Sequence, residues 1–106
     1  MKYSYSFAIR TFNEERLLPR LLKSITNQKN LINYEIIILD SESTDRTKSL
    51  AISYPKVKFV STSKNKFNFG ASCNLINKLC TKDIIIFLSG HVQILKNDFI
   101  SRLDNQ

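Results

Sequence analysis

The sequence predicts an α/β fold, a mostly parallel sheet with helices on both faces, and three observations predict it. The run Ile36-Ile37-Ile38-Leu39 is apolar at every position and stops abruptly at Asp40. Unbroken apolar runs of this length fit strands buried on both faces, as in parallel sheets. Asp83 to Ser89, DIIIFLS, repeats the design, an apolar run that ends on small polar residues. Between such runs, leucines and isoleucines recur at three- and four-residue spacing, the pattern of amphipathic helices. Strands alternating with helices imply parallel pairing through right-handed crossovers.

Tyr3 to Thr11 alternates weakly around Phe7 and Ile9 and forms the first strand, ending in the polar turn Arg10 to Glu15. Leu17, Leu18, Leu21, Leu22 and Ile25 mark one face of a helix that begins around Leu18, because Pro19 is tolerated only near a helix start. The helix fades near Gln28, and Lys29 to Asn33 lead into the central strand, which ends at Asp40. Ser41, Ser43, Thr44 and Asp45 then turn the chain into a second helix, about Asp45 to Tyr54, stopped by Pro55. Val57 to Ser61 alternates into a short third strand. After the polar loop Ser63 to Phe69, Gly70 opens a third helix through Leu79, with Ala71, Leu75, Ile76 and Leu79 inward. The second buried run follows, and a last helix spans about Asn97 to Leu103. No linker, repeat or low-complexity segment interrupts this order, so residues 1–106 read as one domain.

The length of 106 residues supports one small core, and 42% hydrophobic with 24% charged residues is ordinary for a soluble protein. No apolar run approaches the roughly 20 residues that span a bilayer. The N-terminus lacks the apolar core of a signal peptide. A cytoplasmic location is expected, with the inner face of the membrane and peripheral contact there as a further option. Cys73 and Cys80 lie seven apart in one helix, roughly 10 Å by helical rise, too far for a disulfide. With one histidine in the chain, no four-ligand zinc set is present. A net charge of +7 suits a polyanionic partner, although the lysines are scattered apart from Lys56, Lys58, Lys64 and Lys66.

Ligands of open α/β sheets sit outside the carboxyl ends of the strands. That edge gathers Thr11 with Asn13 and Glu14, then Asp40 with Ser41, then the loop after Val60, then Ser89 with His91. Asp40 reads as facing a ligand and Asp45 as a helix cap. With Gly70 and Gly90 the only glycines, neither the dinucleotide fingerprint nor the ATPase phosphate loop is present. A ligand at this edge must be held by side chains.

Taken together, IRTFNEE, YEIIILDSESTDRT and KFNFGASCNLINKLCTKDIIIFLSGHV resemble the N-terminal half of a family 2 glycosyltransferase with the GT-A fold, over nearly the whole chain. That family shows a Thr-aromatic-Asn-Glu turn, an Asp-Ser/Asp-Gly-Ser-x-Asp run, and an Asn-x-Gly-x-x-x-Asn segment opening a helix. The resemblance implies a Rossmann-like half-fold, a nucleotide-diphosphate-sugar donor of the UDP, GDP or dTDP type, a divalent cation, and inversion at the anomeric carbon. It implies that Thr11, Asn13 and Glu14 border the base and ribose. Asp40 then accepts from a base N–H with Ser41 beside it, while Asn68, Gly70 and Asn74 shape the wall near ribose and diphosphate. Ser89 joins this nucleotide-binding set at the end of the fourth strand. In the family that strand runs into an acidic motif whose last acid holds Mg²⁺ or Mn²⁺ against the diphosphate.

This chain departs from the family pattern. The cation motif reads Ser89-Gly90-His91, without a carboxylate, which leaves His91 as the candidate metal ligand, better suited to Mn²⁺ than to Mg²⁺. Glu42 stands where glycine is usual, and Cys73 where arginine is frequent. Asp98 and Asp104, in the last helix, read as a cap and a solvated residue, so the catalytic base is expected beyond Gln106 together with the acceptor-binding half. The expectation is therefore a donor-binding half, inactive or weakly active alone, belonging to a fragment or to a split enzyme. The alternative is a nucleotide-binding module without transfer. A nucleic-acid binder ranks below both, because Lys64-Asn65-Lys66-Phe67 is the one basic, aromatic-interleaved stretch. A missing half would leave an apolar patch at the sheet edge and last helix, favouring a homodimer. Bacterial surface polysaccharide assembly is the default context of the family.

Overall fold

A computed structural model describes residues 3–63 and 69–105. Among these residues the elements run β1 (Tyr5–Thr11), α1 (Leu18–Thr26), β2 (Tyr34–Asp40), α2 (Thr47–Ile52), β3 (Val57–Ser61), α3 (Phe69–Leu79), β4 (Ile84–Ser89) and α4 (Phe99–Asp104). The four strands form one parallel sheet in the order β3-β2-β1-β4. The predicted order holds throughout, with helix ends shifted by at most two residues, where capping and fraying blur any boundary.

Strand side chains alternate between faces, so each face collects its own core. On one face Phe7, Ile9, Ile36 and Ile38 pack with Leu18, Leu21, Leu22 and Ile25 of α1, Ala51 of α2 and Ile100 of α4. On the other face Ala8 and Leu39 pack with Ile76 of α3. The central pair β1 and β2 is covered on both sides, and Ile36 to Leu39 are fully buried, as an unbroken apolar run requires. Each such side chain contributes about 1.5–3 kcal/mol relative to exposure. β4 lies at the sheet edge, where Phe87 stays 52% exposed.

Ser24 of α1 and Gln28 just beyond it hold the irregular segment after β4. Ser24 Oγ accepts from the Ile94 N–H at 3.1 Å, and Gln28 Nε2 donates to the Lys96 carbonyl at 2.7 Å. Gln28 Oε1 in turn accepts from the Ile100 N–H at 3.2 Å. Asp104 is not the solvated residue the sequence suggested. Its Oδ1 accepts from the Tyr5 hydroxyl at 2.8 Å and the Tyr3 N–H at 2.9 Å, tying the last helix to the start of β1. Burial first, and then the Asp104 carboxylate, push the Tyr5 phenol up to about 12. Asp98 occupies the N-cap position of α4 but caps no backbone N–H, and its Oδ2 pairs with Arg102 Nε at 3.0 Å.

The apolar side of α4 is packed, with Ile100 buried and Phe99 and Leu103 against the core. The patch expected at the last helix is therefore absent from it. At the sheet edge Phe87 of β4 is exposed, and the exposed large apolar side chains also include Leu95, which is 87% exposed. The lysines of β3 and its approach are also engaged. Lys56 Nζ stands 4.2 Å over the Tyr34 ring, and Lys58 Nζ lies 3.2 Å from Glu35 Oε1. The Cys80 thiol is half-buried and free, and burial raises its pKa.

A buried carboxylate pins the end of the sheet opposite the candidate site. Glu35 on β2 accepts from Ser6 Oγ at 2.6 Å, the Thr81 N–H at 2.7 Å and the Lys58 ammonium at 3.2 Å. Burial alone would push its pKa up, but the hydrogen bonds from Ser6, Thr81 and Lys58 outweigh burial and hold it down at about 2. One side chain thus links β1, β2, β3 and the approach to β4.

Candidate functional site

Parallel register brings the strand ends level. Thr11 stands opposite Asp40, Asp40 opposite Ser61, and Arg10 opposite Ser89. The loops that follow β1 and β2 are then joined by a row of hydrogen bonds. The Asn13 N–H donates to Ser43 Oγ, and Asn13 Oδ1 accepts from the Thr44 N–H, both at 2.8 Å. The Glu14 N–H donates to Thr47 Oγ1 at 2.8 Å, and the Glu15 N–H to Asp45 Oδ2 at 3.2 Å. Asn13 has φ 50°, a left-handed conformation that asparagine tolerates better than most residues. Glu42 has φ 55° without that advantage, which explains why glycine suits its position in the family pattern.

Two acids serve this framework. Asp40 is 2% exposed, and its carboxylate accepts from Thr11 Oγ1 at 2.6 Å and from both the N–H and the hydroxyl of Ser43. A carboxylate has about four acceptor positions, so one remains. Asp45 accepts from the Thr47 N–H at 2.9 Å and from the Thr47 hydroxyl, which caps the entry to α2. Burial opposes its ionisation, but the bonds from Thr47 and the Glu15 N–H prevail and lower its pKa.

Above this framework lies a cleft of about 560 Å³ lined by Arg10, Thr11, Phe12, Glu14, Ser41, Ser89 and His91. Five residues singled out in the sequence (Thr11, Glu14, Ser41, Ser89 and His91) thus share one cavity. Asn13 and Asp40 stand behind it, holding the loops. Asn74 is exposed on α3 and is not part of the lining, Gly70 lies in the first turn of α3, and Asn68 lies outside the described residues. Arg10 and Phe12 were not singled out. Their signal was present in the strand-end position of Arg10 and the aromatic place in the Thr-aromatic-Asn-Glu turn.

Ser41 is the most informative residue of the lining. It is only 6% exposed, and its Oγ, sealed from solvent, has no hydrogen-bond partner among the described residues. Leaving such a hydroxyl unmet costs about 1–3 kcal/mol, which a polar ligand atom would relieve.

Gly90 positions His91 through close approach. A Cβ placed there would lie 2.9 Å from Thr11 Cγ2 and 3.0 Å from Glu14 Cγ. His91 Nδ1 then falls 3.7 Å from Glu14 Oε1, and Arg20 Nη2 holds the His91 carbonyl at 3.2 Å. Among the described residues no three His, Cys, Asp or Glu side chains converge to hold a metal ion. His91 and Glu14 offer two donors, one imidazole and one carboxylate. The described residues do not by themselves fit a divalent cation site.

Residues 6–104 match the family described as Glycosyl transferase family 2, and the chain belongs to that family. The O-antigen chain rhamnosyltransferase RfbN of Salmonella typhimurium is 31% identical over 96 residues, 90% of this chain and 30% of that protein. The 4,4'-diaponeurosporenoate glycosyltransferase of Staphylococcus haemolyticus is 35% identical over 95 residues, 86% of this chain and 25% of that protein. The chain thus spans about a third or less of the relatives it matches. Among solved structures, S. aureus TarS 1–349 in complex with UDP-GlcNAc superposes with a TM-score of 0.83 at 20% identity, over 96% of this chain and 30% of that one. The mannosyltransferase PcManGT from Pyrobaculum calidifontis, in complex with GDP-Man and Mn²⁺, gives 0.80 at 20% identity, over 95% and 31%. These structural likenesses establish the GT-A-type α/β fold. Among the described residues no helix is long and apolar enough to cross a membrane.

Proposed function

We propose that the cleft at the carboxyl ends of β1, β2 and β4 binds the nucleotide-diphosphate part of a sugar donor, and that the chain is the donor-binding part of an inverting glycosyltransferase. The observation that carries this reading is the sealed, unpartnered Ser41 hydroxyl within a cleft that also contains Thr11, Glu14, Ser89 and His91. A polar ligand atom that reaches this hydroxyl would supply the hydrogen bond it lacks among the described residues. The exposed ring of Phe12 at the same cleft offers a stacking face for a base. The remaining acceptor position of Asp40 suits a base N–H, in keeping with the family motif. UDP, UDP-GlcNAc and GDP-Man in complexes of the structural neighbours support a nucleotide sugar as the ligand class.

In inverting transfer an acceptor oxygen bonds to the anomeric carbon as the bond to the diphosphate breaks, and a base takes the acceptor proton. None of the residues lining the cleft is assigned as that base. A module that binds the nucleotide without transfer is the second reading, favoured by Ser89-Gly90-His91 in place of an acidic motif.

Calorimetric titration with UDP, GDP and dTDP tests the proposal. One of the three is expected to bind, and Ser41→Ala to weaken it about three- to tenfold, the worth of one hydrogen bond. Absence of binding to all three would remove the nucleotide reading. Unchanged affinity in Ser41→Ala would remove Ser41 from the contact.

A further inference from the structure

Resting on the nucleotide reading above, we infer that Arg10 and His91 hold the diphosphate directly, without a divalent cation anchored by protein carboxylates. An acidic motif and a diphosphate repel each other, and a bridging cation reconciles them. The cleft here presents a different balance. Among the described residues its charged or titratable lining is one guanidinium (Arg10), one carboxylate (Glu14) and one imidazole (His91). Asp40 has three of its roughly four acceptor positions taken by Thr11 and Ser43 and lies outside the lining. A diphosphate entering this cleft does not meet a net negative wall.

Arg10 is placed for the task. It stands opposite Ser89 in the β1–β4 register, beside the strand end where the family pattern has its acids. A guanidinium stays charged at every accessible pH and presents a planar fork that matches two phosphate oxygens. His91 follows one residue beyond Gly90, exposed to solvent, with Nδ1 on the Glu14 side. An imidazole carries at least one N–H donor in either protonation state, so its contact with a phosphate oxygen needs no change of charge. Arg20 holds the His91 carbonyl, and the tight packing of Gly90 against Thr11 and Glu14 fixes the turn. Serine, glycine and histidine at this strand end therefore form a coherent phosphate-facing set, rather than a damaged cation motif.

The test is titration of the chain with UDP in excess EDTA and again with Mn²⁺, with uridine as the probe lacking phosphates, and GDP and dTDP in parallel. UDP affinity is expected to change less than about threefold between the two conditions. Arg10→Gln is expected to weaken UDP about tenfold or more and to leave uridine unchanged, as loss of a charge-assisted pair to phosphate requires. His91→Gln should weaken UDP by about threefold, again sparing uridine. It carries the comparison if Arg10→Gln is unfolded by circular dichroism. UDP binding that needs Mn²⁺ would overturn the inference and leave the nucleotide reading standing. Equal loss for UDP and uridine, or no loss in either variant, would also overturn it. Absence of binding to UDP, GDP and dTDP in both conditions would instead overturn the nucleotide reading, and this inference with it.

Discussion

Glu35→Gln is expected to destabilise the fold in a way that depends on pH, although the substitution changes almost no volume. In the native chain the Glu35 carboxyl titrates at about 2, against 4.5 for an unhindered glutamate. At about 1.4 kcal/mol per pH unit, that difference amounts to about 3 kcal/mol favouring the folded state at neutral pH. The carboxyl is buried, but its Lys58 partner is more than half exposed, so the figure is an upper bound. A lowered native pKa contributes its stability fully above the unfolded value near 4.5 and loses it as pH falls through about 2. The glutamine variant never carries the charge, although its carbonyl oxygen still accepts from Ser6 or Thr81. A loss of about 2–3 kcal/mol is expected at pH 7, shrinking to about 1 kcal/mol by pH 2.5. Urea unfolding of both proteins across this range, at unchanged slope, measures the gap directly. Parallel stability curves from pH 7 to 2.5 would refute the assignment of Glu35 as an ionised, buried tie.

Two further substitutions probe the loops around the cleft. Gly90→Ala drives a Cβ against Thr11 Cγ2, a short side chain held by Asp40, and should cost about 1–3 kcal/mol in thermal unfolding while weakening UDP binding. A variant as stable and as tightly binding as the parent would show that the turn relaxes freely. Glu42→Gly removes a side chain from a left-handed position and should raise the unfolding free energy, read from the urea midpoint at unchanged slope, by about 0.5–1 kcal/mol, with nucleotide affinity unaffected. A fall in stability would mean that the Glu42 side chain makes a contact that outweighs its backbone cost.

Much of the architecture was legible in order along the chain. Ile36 to Leu39 fitted a doubly covered strand, and Leu18, Leu21, Leu22 and Ile25 fitted one face of a helix, because period and polarity are local properties. Asp45 and Pro55 marked the start and stop of the second helix for the same reason. Chain order with parallel crossovers places Thr11, Ser41, Ser89 and His91 on one edge from the sequence alone. Resemblance then supplied the family, which the match over residues 6–104 establishes.

Contacts between residues far apart in sequence decided the rest. No local pattern shows that Asp104 meets Tyr5, or that Glu35 is spent on Ser6, Thr81 and Lys58, since each pairing depends on register across the sheet. The same holds at the cleft. Residue types announced Asp40 and Asn13 as ligand-facing, whereas packing turned most of their hydrogen-bonding capacity onto neighbouring loops and left the Ser41 hydroxyl unmet. The sequence determined which side chains reach the strand ends, because alternation and crossover handedness are written in short-range order. Only the tertiary structure decided which of them hold the loops together and which line the cleft, because a hydrogen bond made across the fold removes a group from contact with a ligand.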